Sequence, residues 1–98
     1  MIVQNATLSA ILVPIDLGAS NSVQGTYHFQ VSANSANIAS IRLFSTGGEY
    51  AAATNESTSS FTIKATDLGA GLHPFYAAVE STTGDKFRTE TYWTRFVH

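Results

Sequence analysis

The stretch from Asp67 to Glu80, Asp-Leu-Gly-Ala-Gly-Leu-His-Pro-Phe-Tyr-Ala-Ala-Val-Glu, constrains this chain more than any other, together with the run from Phe87 to Val97 that follows Gly84-Asp85. Alternating apolar residues mark half-buried strands, and Gly-Asp between the two runs marks a turn, so the pair reads as two neighbouring antiparallel strands. With His73, Phe75, Ala77 and Val79 inward, Pro74, Tyr76, Ala78 and Glu80 face outward. On the second strand Arg95 shares a face with Trp93, and an unpaired Arg is almost never buried, so Tyr92 and Phe96 are expected to point inward. A bulge near Phe87 or Thr91 would reverse that register.

The remaining segments repeat the theme. Ala6 to Ile15 sets Leu8, Ala10 and Leu12 on one face and Ile11, Val13 and Ile15 on the other, and Pro14 suggests an edge strand or one that switches sheets. Residues 16–24 read as a loop. Gly25 to Ala33 alternates with Tyr27, Phe29 and Val31 inward, Ile38 to Ser45 does so with Ile41 and Leu43, and Gly47-Gly48 predicts a hairpin into 49–53. Thr54 to Ser60 reads as a polar loop, and Phe61 and Ile63 begin the next inward face. Ser and Thr supply 23 of the 98 residues, a composition that favours strands and turns over helix interiors. Seven strands with turn signals about every ten residues are the pattern of an all-β antiparallel sandwich. The expected core is Leu8, Leu12, Tyr27, Phe29, Val31, Ile41, Leu43, Phe61, Ile63, His73, Phe75, Val79, Tyr92 and Phe96.

Ninety-eight residues make one domain, 1–98, with residues 1–5 and 98 expected to be flexible or added ends. Charged residues are only 12% of the chain and the net charge is -2, which argues against a nucleic-acid partner. The five basic residues, Arg42, Lys64, Lys86, Arg88 and Arg95, are mostly scattered along the sequence. No run approaches a membrane span or a signal peptide. There is no cysteine, so core burial alone must hold the domain, and that absence does not exclude secretion. The chain is expected to be an excised piece of a larger protein, monomeric when isolated.

Three segments carry a resemblance. Ile38-Ala-Ser-Ile-Arg-Leu-Phe-Ser-Thr-Gly47 resembles the third-strand motif of bacterial immunoglobulin-like domains, Leu68-Gly-Ala-Gly-Leu-His-Pro-Phe-Tyr-Ala77 resembles the opening of their penultimate strand, and Thr83-Gly84-Asp85 resembles the turn before the last. The resemblance spans Ala6 to Val97. It departs from the pattern at Pro74, inside a strand, and lacks the Cys and Trp pair of antibody domains. It implies an immunoglobulin-like sandwich that is an accessory or spacer module of a secreted or cell-surface bacterial protein, of the polysaccharide-active kind or an adhesin. His73 would then stand where such sandwiches often place a Tyr that bonds the neighbouring loop.

Candidate binding residues are Trp93 and Tyr76, on adjacent strands, with Arg95 and Glu80 as hydrogen-bonding neighbours. Aromatic faces pack on the C–H groups of a sugar ring, so this set could bind carbohydrate, whereas core packing of Trp93 or docking of a neighbouring domain are the plainer alternatives. His28, His73 and His98 lack the spacing of a metal site, and Asp16, Asp67 and Asp85 suit turn capping better than calcium binding. Neither a nucleophile elbow, a zinc-protease motif nor a phosphate loop is present, so no catalytic residue and no cofactor are expected. The readings are thus a non-catalytic accessory module, a carbohydrate-binding module, and an adhesin or phage-surface domain.

Overall fold

A computed structural model describes residues 8–16 and 24–97, with the side chain of Asp16 left out. The ends at 1–5 and 98, and most of the first predicted loop, lie outside the described residues. Among the described residues, eight strands and one short 3-10 turn follow in order: β1 (Ala10–Asp16), β2 (Thr26–Ala33), β3 (Ile38–Ser45), β4 (Gly48–Thr54), β5 (Thr58–Lys64), the turn Ala65–Asp67, β6 (Gly71–Ser81), β7 (Lys86–Arg88) and β8 (Tyr92–Phe96). No helix among the described residues is long and apolar enough to cross a membrane.

The strands form two antiparallel sheets. One runs β1-β2-β5; the other runs β4-β3-β6-β7, with β8 also on β6. This is an antiparallel β-sandwich, with β4 carried on the larger sheet. Between the sheets lie Tyr27, Phe29 and Val31 of β2, Ile41 and Leu43 of β3, Ile63 of β5, Phe75, Ala77 and Val79 of β6, and Phe96 of β8, all buried. Phe29 stacks on Phe75 at 4.6 Å between ring centroids and Tyr27 on Phe96 at 5.0 Å, so aromatic pairs from both sheets close the middle of the core. Leu12 and Tyr92 pack against this core while staying partly exposed. Ile38 and Ala65 join it as well.

Two predicted boundaries shift. The loop expected over 54–60 is only 55–57, because Thr58-Ser-Ser60 already lies in β5, and the inward Ser59 is buried with its hydroxyl bonded to Glu56 at 3.0 Å. The last strand is broken into β7 and β8, which gives eight strands instead of seven. Pairing runs Ala78↔Arg88 and Glu80↔Lys86 in β7, but Phe75↔Tyr92 and Pro74↔Trp93 in β8. One extra residue has been inserted between them, the signature of a β-bulge. Its effect is to keep both halves properly faced: Phe87 and Thr89 turn inward before the break, and Tyr92, Thr94 and Phe96 after it. An unbroken register would have put Trp93 opposite His73, inside.

Both prolines sit where the missing N–H is tolerated. The Asn34 amide donates to the Ser9 carbonyl, so odd residues of β1 face β2 and Pro14 faces the open edge. Ala77 directs both its backbone groups at Thr89, so Pro74 faces β3, whose ladder with β6 has already ended at Phe44↔Tyr76. The freed Pro74 carbonyl accepts the Ser45 hydroxyl at 2.7 Å.

The corner before β6 is tied down by His73. Its Nε2 lies 2.9 Å from the Gly69 carbonyl and its Nδ1 2.7 Å from the Thr46 hydroxyl. A carbonyl can only accept, so Nε2 carries the hydrogen that it donates to Gly69. Gly71, with φ +122°, takes a conformation that other residues rarely adopt and turns the chain into β6. A second tie joins the two sheets at the same end: the Tyr50 hydroxyl donates to Asp67 at 2.6 Å and accepts from the Lys64 amide at 3.0 Å. Burial and the bond to Asp67 both raise the Tyr50 pKa above its ordinary value.

Candidate functional site

The outer face of the five-stranded sheet holds the predicted binding residues. Strand alternation sends Ser40, Arg42 and Phe44 of β3 outward, with Leu72, Pro74, Tyr76, Ala78 and Glu80 of β6, Lys86 and Arg88 of β7, and Trp93 and Arg95 of β8. Trp93 is 56% exposed, so the core alternative for this residue is set aside. It lies across from Pro74, and Arg95 lies across from Leu72.

Tyr76 has a different setting. Phe44 approaches from β3 and stacks on its ring at 5.1 Å and 8°, and Arg88 from β7 places its guanidinium 4.0 Å from the ring centre. With a neighbour arriving from each side, Tyr76 is the middle of a three-layer stack and offers its rim to a ligand. Trp93 makes no such stack among the described residues. Glu80 lies six residues beyond Pro74 along β6, about 20 Å at roughly 3.3 Å per residue. The structure therefore groups Trp93 with Arg95, puts Tyr76 between, and leaves Glu80 at the far end with Lys86 and Ser40.

What the sequence reading missed is the company of Tyr76. Of the five basic residues, Arg42, Lys86, Arg88 and Arg95 all project from this one face, and only Lys64 lies on the smaller sheet. The positions counted as scattered are gathered by strand order. Arg42 and Arg88 flank Ala78 in a single cross-strand row. The small side chain between them leaves a depression of about 310 Å³, lined by Arg42, Phe44, Ala78, Glu80, Lys86 and Arg88. Arg88 is held by Tyr76 below it and by a 3.0 Å hydrogen bond to Thr91. Arg42 pairs loosely with Glu49 at 3.9 Å, both side chains being well exposed.

The other candidates disperse. Asp67 is bonded to Tyr50 at one end of the sandwich, and Asp85 accepts from Thr83 at the other, so these carboxylates cannot share one ion. His73 is spent on the corner, His28 is on β2 of the opposite sheet, and His98 is outside the described residues. Comparison with protein-family models, with curated proteins and with solved structures finds no match.

Proposed function

We propose that this domain is a non-catalytic accessory module that spaces or orients a neighbouring domain of a larger exported bacterial protein, one that acts on polysaccharide. The supporting observation is the direction of the chain. Ser9 exchanges hydrogen bonds with Asn34, beside the 81–85 turn that reaches Asn37. Phe96 pairs with Gly71 and stacks on Tyr27, at the end that holds the Gly69 corner and the Thr46 turn. The described residues thus begin near one pole and end near the other, separated by the eleven residues of β6, about 36 Å at roughly 3.3 Å per residue. Such a module sets a distance between whatever flanks it. Deleting it from the parent protein should lower activity on a polymeric substrate and spare activity on a small soluble one; equal loss on both, or none on either, would oppose the reading.

Exposed Trp93 favours a second reading, carbohydrate binding by the outer face through Trp93, with Tyr76, Arg95 and Glu80 as further contacts. An open indole on a flat strand pair packs readily on a sugar ring. Isolated domain and Trp93→Ala, compared on soluble and insoluble polysaccharides with circular dichroism as the folding control, test it. Loss of binding in a folded variant supports this reading, and unchanged binding removes Trp93 from the site.

A further inference from the structure

We infer that the depression between Arg42 and Arg88 is an anion cradle for the carboxylate of an acidic glycan, a polymer containing uronic acid units. The inference rests on the second reading above and gives its ligand a charge. Four of the five cations of a chain whose net charge is -2 lie on one sheet face, against two carboxylates on its strands, Glu49 and Glu80, and exposed Glu90 in the link between β7 and β8. That segregation opposes the charge of the whole molecule, so it is a local field that attracts anions.

The geometry suits a carboxylate. Arg42 and Arg88 rise from strands on either side of β6, two strand spacings apart, about 10 Å between backbones, with only Ala78 as the floor. Guanidinium groups grip carboxylates through paired parallel N–H donors. Arg88 gives one of its donors to Thr91 and is held against Tyr76, so most of its fork stays available in a fixed orientation. Among the described residues, Arg42 has the long contact to Glu49 to give up. Lys86 adds a third positive charge at the rim.

Position along the strand selects a glycan. Trp93 lies opposite Pro74, four residues from Ala78 on β6, about 13 Å away at roughly 3.3 Å per residue. An extended chain lying along β6 can stack one sugar on the indole and set a carboxylate between the arginines. A single-stranded nucleic acid fits less well, because it needs a series of stacking rings and carries a phosphate at every unit. Here Trp93 is the one aromatic among the exposed large apolar side chains of the described residues, and Glu49 and Glu80 repel a continuous row of phosphates.

The test uses the whole chain and three uronate polymers, polygalacturonate, alginate and hyaluronate, beside fully methyl-esterified polygalacturonate and a single-stranded oligothymidylate. Calorimetry or affinity electrophoresis should show binding to at least one acid polymer, weakened by salt and by esterification. Arg42→Gln and Arg88→Gln should each weaken it about tenfold, the loss of one charge-assisted contact. Ala78→Leu, which fills the half-buried floor on the outer face of the sheet, should weaken it too. If both arginine variants bind as wild type does while Trp93→Ala abolishes binding, the cradle is wrong and the Trp93 reading stands. Folded protein that binds no polymer at all overturns both, and tighter binding to the oligonucleotide than to any uronate overturns the assignment to a glycan.

Discussion

Thr89→Val probes the bulge that exposes Trp93, and its effect can be worked from two bonds. In a regular ladder Ala77 and Thr89 would exchange both backbone hydrogen bonds. Here the Thr89 amide donates to the Ala77 carbonyl at 2.9 Å, but the return bond from the Ala77 amide goes to the Thr89 hydroxyl, also at 2.9 Å. The side chain stands in for a main-chain carbonyl that the break has turned away, and the same hydroxyl donates to the Glu90 carbonyl at 3.1 Å. Thr89 is only 3% exposed, so water cannot replace it. Valine keeps the shape and removes the acceptor, leaving the Ala77 amide buried and unpaired, at a cost of about 2 kcal/mol. For a chain of this size that lowers Tm by about 8–16 °C. Serine keeps the oxygen and loses one methyl, about 1 kcal/mol or less. Urea unfolding followed by circular dichroism gives the two stabilities, and amide exchange at Ala77 shows whether the lost protection is local. A valine variant within about 0.5 kcal/mol of wild type, the range of an inert surface change, would refute the account. So would a serine variant as unstable as the valine one.

Two further predictions concern the end of the sandwich held by His73 and Tyr50. His73→Leu removes both ties, to Gly69 and to Thr46, while keeping an apolar body in the core. It should cost about 1–2 kcal/mol and speed amide exchange at Gly69 to Gly71, and an unchanged exchange pattern there would show that the corner holds itself. Tyr50 gives a pH dependence. Its folded pKa is raised, so the protonated phenol is favoured in the native state, and its stabilisation is complete below the unfolded value of about 10. It is lost as pH rises through the folded value. Urea midpoints measured from neutral to strongly alkaline pH should therefore fall more steeply in wild type than in Tyr50→Phe, and parallel curves would remove Tyr50 as a source of the slope.

The fold was legible where inward positions are large and apolar. Tyr27, Phe29 and Val31, or Phe75, Ala77 and Val79, announce their faces because nothing polar interrupts them. It was hard to read where small hydroxyl side chains take inward positions. Ser59 is buried because Glu56 satisfies it, so a strand that begins Thr-Ser-Ser passes for a loop. Thr89 hides the bulge in the same way: a Thr-Glu-Thr sequence carries neither Gly nor Pro, and its hydroxyl bridges the gap in the ladder. The outward direction of Trp93 was nevertheless reachable, because burying it would have buried Arg95 with it, and that cost outweighs any hydrophobic gain.

The charged face was unreadable for a topological reason. Arg42 and Arg88 are 46 positions apart in sequence, Arg42 among uncharged neighbours and Arg88 in a run of mixed charge from Asp85 to Glu90. They meet across Ala78 because β3 and β7 both pair with β6 in a sheet whose order, β4-β3-β6-β7, is not the chain order. Alternation within each strand then decides which side each cation takes, and a shift of one residue in β7 would send Arg88 inward and Phe87 out. Register is fixed by burial of Phe87, Thr89 and Val79, so the same apolar contacts that hold the core set the arginines on the surface. A binding site assembled in this way is a by-product of core packing in its geometry and independent of it in its chemistry. Arg42 and Ala78 can therefore be exchanged with little effect on stability, and any effect of those exchanges on ligand binding belongs to the face itself.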